Sequence, residues 1–190
     1  RSRGCWFANE GGIIPPCFFA LNMSQSSLHS PLSLESMQLR NRIALAPMAG
    51  LTDVPFRTLA WRFGVGHMVS EMVASKLDLW HTQKSQLRRE ALPCAAPTAV
   101  QMAGNEPAVM AETARRLVDE GAELIDINFG CPAKKVCRRA AGSALLGDLD
   151  RVAAIVETVA TAVAVPVTIK TRTGLVVDDR IGAAAVRAAE

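Results

Sequence analysis

An α/β fold built from consecutive βα units follows from three features of this 190-residue chain. From Arg42 onward, short β-type runs alternate with amphipathic helical stretches, the signature of a parallel sheet. No G-x-G-x-x-G follows the first strand, which disfavours a dinucleotide-binding, doubly wound start. Each strand instead ends on a polar or special residue: Pro47-Met48, Ser70-Glu71, Gln101, Asn128 and Lys170. Functional groups gathered at the carboxyl ends of successive strands are how barrel enzymes build a site, so the pattern predicts a TIM-type (β/α)8 barrel. Such a barrel typically takes about 250 residues. The chain is therefore expected to be truncated after about five βα units, with the remaining strands beyond Glu190.

The first unit reads as a strand over residues 43–46, a turn through Pro47-Met48-Ala49-Gly50, and a helix with Asp53 as N-cap and Pro55 near its start. Phe56, Leu59, Ala60 and Phe63 give that helix an apolar face, and Gly64 ends it. A strand over 67–71 precedes a polar helical stretch at about 77–87, and a third strand covers 98–102. The clearest helix follows: Pro107 sits in its first turn, Met110, Ala114, Leu117 and Val118 share one face, and Gly121 closes it. The fourth strand is 124–128. After a short segment at 142–146, Val152, Ile155, Val156, Val159 and Val163 mark a helix that Asp148 or Asp150 could cap, feeding a fifth strand at 165–170. The last residues read as a fifth helix.

Residues 24–36 are serine-rich without a clear period, so residues 1–41 are expected to form a poorly ordered leader and 42–190 the barrel portion. The first methionine is Met23, so residues 1–22 are read as upstream translation or an artefact. The apolar stretch 13–21 is broken by prolines and lacks a cleavage site, which disfavours a signal peptide. No apolar run approaches the roughly 20 residues needed to cross a bilayer, so no membrane partner is expected. A 49% hydrophobic content supports one sizeable core. The formal charge of +3 is too small for electrostatics alone to hold a nucleic acid, so any RNA contact must be local. Cysteines 5, 17, 94, 131 and 137 form an odd set with no C-x-x-C pair and no metal-ligand spacing, which favours a reduced, cytoplasmic setting and no metal.

The chemistry-bearing candidate is Cys131, in Asp126-Ile127-Asn128-Phe129-Gly130-Cys131-Pro132. An apolar strand leaves the sheet there through glycine, which allows close backbone approach, and proline, which stops the strand. Two readings remain open from position alone: a thiol presented at the rim, or a buried structural cysteine.

Asn128-Phe129-Gly130-Cys131-Pro132-Ala133-Lys134-Lys135-Val136, followed by Ala141-Gly142-Ser143-Ala144-Leu145-Leu146, resembles the signature of tRNA-dihydrouridine synthases, especially the bacterial B-type branch. Three further motifs stand in the family's order and at similar spacing: residues 46–53, 100–104 and 167–174. The resemblance runs from about Arg42 to the end of the chain. It implies an FMN-containing β/α barrel, followed by a helical RNA-binding domain, that reduces particular uridines in tRNA with NADPH as electron source. Carried onto this chain, Pro47, Met48 and Ala49 would shape the flavin pocket through backbone, Gln101 and Lys170 would hydrogen-bond the isoalloxazine ring, and Cys131 would protonate the base. An active-site histidine and phosphate-binding glycine segments that the family carries further along have no match here.

Those implied roles make physical sense. Reducing the uracil C5=C6 bond requires a hydride at C6, which a reduced flavin supplies, and a proton at C5. A thiol of ordinary pKa, about 8.5, is mostly protonated near neutrality and can serve as the acid. A lysine at the flavin N1/C2 carbonyl edge stabilises negative charge. Gln101 both donates and accepts through one amide, which suits a flavin edge; otherwise it would read as a solvent-facing strand terminus. Asn128 could orient the base by the same two-way bonding, or simply satisfy the turn. Lys134, Lys135, Arg138 and Arg139 cluster after Cys131, where phosphate contacts would position a tRNA without reading its sequence. Arg88 and Arg89 read as an ordinary solvated face, His29, His67 and His81 show no ligand spacing, and Cys137 carries no expected chemical role. Trp61, Phe63, Trp80 and Phe129 are the few candidates for stacking on a base, with packing the expected job of the first three.

Two other readings compete. One is an FMN-dependent dehydrogenase of a free pyrimidine such as dihydroorotate, against which the basic cluster and the co-linear motifs argue. The other is an inactive fragment: five βα units leave a barrel open and omit the strands that complete its phosphate site, so the chain alone is expected to bind FMN poorly.

Overall fold

The computed structural model describes residues 6–7, 28–35, 37–75, 78, 80–92, 96–138, 140–176 and 180–189. Its strands are β1 (Trp6–Phe7), β2 (Leu32–Leu34), β3 (Met37–Leu39), β4 (Ala44–Leu45), β5 (His67–Met68), β6 (Val73–Ala74), β7 (Ala99–Ala103), β8 (Leu124–Phe129) and β9 (Val167–Thr171). Its helices are α1 (Val54–Arg62), α2 (Gln83–Arg89), α3 (Pro107–Asp119), the single turn α4 (Lys134–Cys137), α5 (Leu149–Ala162) and α6 (Ile181–Ala189), with a 3-10 segment at Gly142–Gly147. The fold is α/β with a parallel sheet, as the alternation of strand and helix patterns predicts.

β6, β7, β8 and β9 lie side by side in parallel, while β4 and β5 form a parallel pair that meets β7 through a bridge between Val69 and Ala99. Of the expected second strand, 67–71, only β5 and the Val69 bridge are found, and β6 follows beyond its expected end. β4 neighbours β5, and from β6 to β9 each strand neighbours the one next in sequence, without the reversal of order that marks a doubly wound sheet.

Side chains alternate across the pleat. Val100, Met102, Ile125, Ile127, Phe129 and Ile169 pack against Met110, Ala114 and Leu117 of α3 and Val152, Ile155 and Val159 of α5 to form the main core. Truncating a fully buried leucine such as Leu117 to alanine typically costs about 2 to 5 kcal/mol. The caps follow the sequence reading. Asp53 accepts from the Phe56 N–H at 2.9 Å, and Asp148 from that of Arg151 at 3.0 Å. Gly121 follows α3 with φ +98°, a backbone angle that suits glycine.

Four expectations are corrected. Within the supposed leader, β2 and β3 form an antiparallel hairpin that turns at Glu35, whose φ is +50°. Leu34 and Leu39 of this hairpin are buried against Val69, Ala99 and Leu124, at the amino-terminal side of the strands. Asn41 then anchors the entry to β4, donating to the Gly64 carbonyl at 2.7 Å and accepting from the Ile43 N–H at 2.9 Å. β1 also falls within the leader and pairs in parallel with β9, Trp6 opposite Lys170 and Phe7 opposite Thr171.

Second, the apolar face of α1 is not a core face: Phe56 is 42%, Leu59 51% and Phe63 83% exposed. Arg57 is the buried residue, and its guanidinium donates to the carbonyls of Thr52 and Glu90 at 3.1 and 3.2 Å. Two backbone acceptors compensate the buried charge, and the side chain's methylenes fill space beneath the helix. Third, α2 begins later than expected, because Thr82 caps it by accepting from the Ser85 N–H. Fourth, Phe129 is fully buried in the core, so it is no stacking platform. Trp61 and Trp80 do pack as expected, under Arg40 at 3.5 Å and Arg89 at 4.0 Å from the ring centroids.

His67 is half-buried, and its buried Nδ1 finds no hydrogen-bond partner among the described residues. Burial pushes its pKa from 6.5 down to about 4. The unfolded chain therefore binds this proton more readily than the folded one, and stability is lost as pH falls from about 6.5 toward 4. In urea titrations across that window, His67→Leu is expected to lose up to about 3 kcal/mol less than the wild-type chain. Parallel pH profiles for the two proteins would refute the assignment.

Candidate active site

The sheet face opposite the main core is also buried, but it is polar. Gln101, Asp126, Asn128, Thr168 and Lys170 lie on three adjacent strands and are each less than a tenth exposed. In the parallel register Gln101 stands beside Asp126, Asp126 beside Thr168, and Asn128 beside Lys170. One continuous chain of hydrogen bonds joins four of them. Thr168 Oγ1 donates to Asp126 Oδ1 at 2.7 Å, and Gln101 Nε2 donates to Asp126 Oδ2 at 2.7 Å. Asn128 Nδ2 donates to Gln101 Oε1 at 2.8 Å. Asn128 Oδ1 in turn accepts from the N–H groups of Gly130 and Cys131 at 3.0 and 2.8 Å.

Burial pushes the Asp126 carboxyl up from 3.8 to about 6, even though the bonds from Gln101 and Thr168 and the positive charge of Lys170 all act to lower it. At neutral pH it remains an anion, held by the donors around it.

Cys131 lies just beyond β8 and is half-buried. Its carbonyl accepts from the Ser143 N–H at 3.1 Å and from Cys137 Sγ at 3.6 Å. Cys137, which carried no expected role, thus braces the turn that presents Cys131. The close backbone approach expected at Gly130 is found instead at Gly142. A Cβ on Gly130 would make only ordinary contacts, the nearest being 3.4 Å, whereas one on Gly142 would stand 2.7 Å from the Cys131 carbonyl oxygen, at a φ of +64°.

The loop after β4 contains a buried Pro47, a half-buried Met48 and an exposed Ala49. Thr52 holds it by accepting from the Met48 N–H at 2.9 Å, and Glu71 Oε2 accepts from the Gly50 N–H at 2.9 Å. The neighbouring Ser70 Oγ accepts from the Gln101 N–H at 3.2 Å, so one short segment links this loop to the strand carrying Gln101.

Lys134 and Arg138 are exposed on and just after α4 and make no ion pair among the described residues. Arg139 and the side chain of Lys135 lie outside the described residues. Arg88 and Arg89 are not the solvated face expected of them but are committed inward, to Glu71 at 3.3 Å and Glu120 at 2.7 Å. No group of three or more His, Cys, Asp or Glu side chains among the described residues is placed to hold a metal ion, and no described helix is long and apolar enough to cross a membrane.

Residues 44–189 match the family described as Dihydrouridine synthase (Dus). The chain belongs to the dihydrouridine synthase family. Among curated relatives, it is 55% identical over 152 residues to tRNA-dihydrouridine synthase B of Pseudomonas aeruginosa, covering 80% of this chain and 46% of that protein. It is 53% identical over 149 residues to the Xanthomonas campestris protein of the same name, covering 78% and 45%. Against the Escherichia coli K12 protein, again of that name, it is 53% identical over 137 residues, covering 72% and 43%. The chain therefore spans a little under half the length of these relatives.

Within this chain of the dihydrouridine synthase family, the structure brings Gln101, Asn128, Lys170 and the Cys131 turn together at neighbouring strand ends. The residue that sequence reasoning missed is Asp126. Its signal was available: in β8 the residues facing away from the main core run Leu124, Asp126, Asn128, and the same face carries Gln101 on β7 and Thr168 and Lys170 on β9.

Because folding raises the Asp126 pKa, the folded chain binds that proton more tightly than the unfolded one, and the carboxyl's contribution falls as pH rises from about 4 through 6. An Asp126→Asn variant lacks this term. Relative to wild type, its urea midpoint is expected to improve steadily over that window, by up to about 3 kcal/mol in stability. A constant difference from pH 4 to 7.5 would show that Asp126 does not titrate as described.

Proposed function

We propose that this chain forms the amino-terminal part of the TIM-type barrel of a tRNA-dihydrouridine synthase that reduces specific uridines in cytoplasmic tRNA to 5,6-dihydrouridine, with FMN as cofactor and NADPH as electron donor. The observation that carries this reading is the buried polar group Gln101–Asn128–Lys170 beside the Cys131 turn, in a chain of this family. The consecutive order of β6, β7, β8 and β9 supports the barrel, since successive neighbours are how a barrel winds.

The residues present fit a flavin. Its pyrimidine edge carries carbonyl oxygens that need donors, and the strand ends offer the Lys170 ammonium together with the second N–H of the Gln101 amide. Pro47, Met48 and Ala49 would wall the ring through backbone. When bound, the flavin supplies the hydride for uracil C6. Cys131 gives the proton to C5, and the two strand ends beside it orient the base. Asn128 has given its oxygen to two backbone N–H groups, so it offers the base its remaining N–H rather than the two-way bonding expected from sequence. Lys134 and Arg138, with Lys135 and Arg139 next to them in sequence, supply positive charge for tRNA phosphates. Such a base must leave its stack to reach the thiol.

These roles are tested in a polypeptide extended to the relatives' length. Cys131→Ala is expected to keep flavin bound and reducible by NADPH while dihydrouridine formation in bulk tRNA falls by about 10² or more, the usual worth of a positioned acid. Wild-type yield from that variant would remove the thiol from the mechanism. Lys170→Ala is expected to weaken FMN retention at least tenfold, and unchanged affinity on titration would count against its contact. Turnover of free orotate or uracil in place of tRNA would favour the rival reading, a dehydrogenase of free pyrimidines.

A further inference from the structure

We propose that Asp126 is a positioning residue, whose carboxylate sets the amide orientations of Gln101 and Asn128 and through them holds the backbone turn that presents Cys131. Amide groups are nearly symmetric in shape, so their orientation is dictated by what surrounds them. Here both ends of the hydrogen-bond chain are fixed. At one end an anionic carboxylate can only accept, and it receives Gln101 Nε2 at 2.7 Å. At the other, the backbone N–H groups of Gly130 and Cys131 can only donate, and they require Asn128 Oδ1. Between them, Asn128 Nδ2 must meet Gln101 Oε1, as it does at 2.8 Å.

A flip at any point propagates. Turning Gln101 over would set its oxygen against Asp126 Oδ2 and its NH2 against that of Asn128. Relieving the second clash by turning Asn128 would strip buried Gly130 and half-buried Cys131 of their acceptor, and an unmet buried donor is costly. Thr168 secures the carboxylate itself from the opposite strand. The arrangement leaves one N–H on each amide. A ligand edge of carbonyl oxygens suits such groups better than one of amino groups. The catalytic meaning of this device rests on the flavin and tRNA reading above, but the geometry does not.

The test is amide hydrogen exchange in the chain itself, without flavin or tRNA, comparing Gly130 and Cys131 with Leu117 in α3 as an internal reference for global opening. Asp126→Val is expected to speed exchange at Gly130 and Cys131 at least tenfold relative to Leu117. Asp126→Asn can still accept from Gln101 and donate to Thr168, and is expected to restore wild-type protection within about twofold. Gln101→Met should reproduce the selective loss, and adding Asp126→Val to it should give little more, the non-additivity of groups acting in series. Equal acceleration at all three amides, or additive effects of the two substitutions, would overturn the proposal. Should Asp126→Val not fold, unchanged protection at Cys131 in Gln101→Met is sufficient to reject it. FMN titration of the extended polypeptide separates the two readings: wild-type protein that binds no flavin fails the functional assignment and leaves the exchange result standing.

Discussion

A carboxylate without water must be surrounded by donors, and the polar half of this structure is organised around meeting that demand for Asp126. Threonine and glutamine reach it from the two flanking strands, with the positive charge of Lys170 acting on it as well, and they can do so only because the strands run parallel in one register. A one-residue slip of β8 would turn Asp126 toward Met110 and Leu117 and place Ile125 or Ile127 among the amides. The register that builds the apolar core is thus the register that builds the site. A buried ion of this kind is weak evidence for stability, since well-packed apolar residues can replace such groups without loss. What it supplies is a single arrangement of two otherwise reversible amides.

The two sides of the sheet have different tasks. One is filled by branched and aromatic side chains against α3 and α5, as close-packed interiors require. The other is graded along the strands. It begins with an apolar layer of Val69, Ala99 and Leu124 under the β2–β3 hairpin, and rises through Asp126, Gln101 and Thr168 to Asn128 and Lys170. Beyond them the chain turns at Cys131. The hairpin covers the lower layer, with Leu34 and Leu39 packed against Val69, Ala99 and Leu124.

Much of this was legible in the residues. Strand and helix order followed from periodicity, and the caps at Asp53 and Asp148 from residue type. The grouping of Gln101, Asn128 and Lys170 followed from their shared place at strand ends. The hairpin escaped because Leu32–Leu34 and Met37–Leu39 are each too short to display a period, and serine-rich surroundings resemble a linker. The exposed face of α1 escaped because an apolar stripe announces that it wants a partner but not whether one stands beside it; Arg57, the residue turned inward, looks polar until its two carbonyl acceptors are known. Asp126 escaped for a different reason. A charged residue in an apolar strand draws attention only when its neighbours on other strands are considered with it, and those lie 25 residues before and 42 residues after.

The stripe on α1 also has a consequence outside the site. Phe56, Leu59 and Phe63 give one side of a helix an oily surface, with Leu51 of the preceding loop, 59% exposed, close by in sequence. Exposed apolar patches are where proteins adhere to one another. Sulfate and other strongly excluded salts sharpen that attraction, while mild chaotropes relax it. A change of buffer can therefore act on recovery of the protein through a region remote in sequence from Cys131, without touching its chemistry.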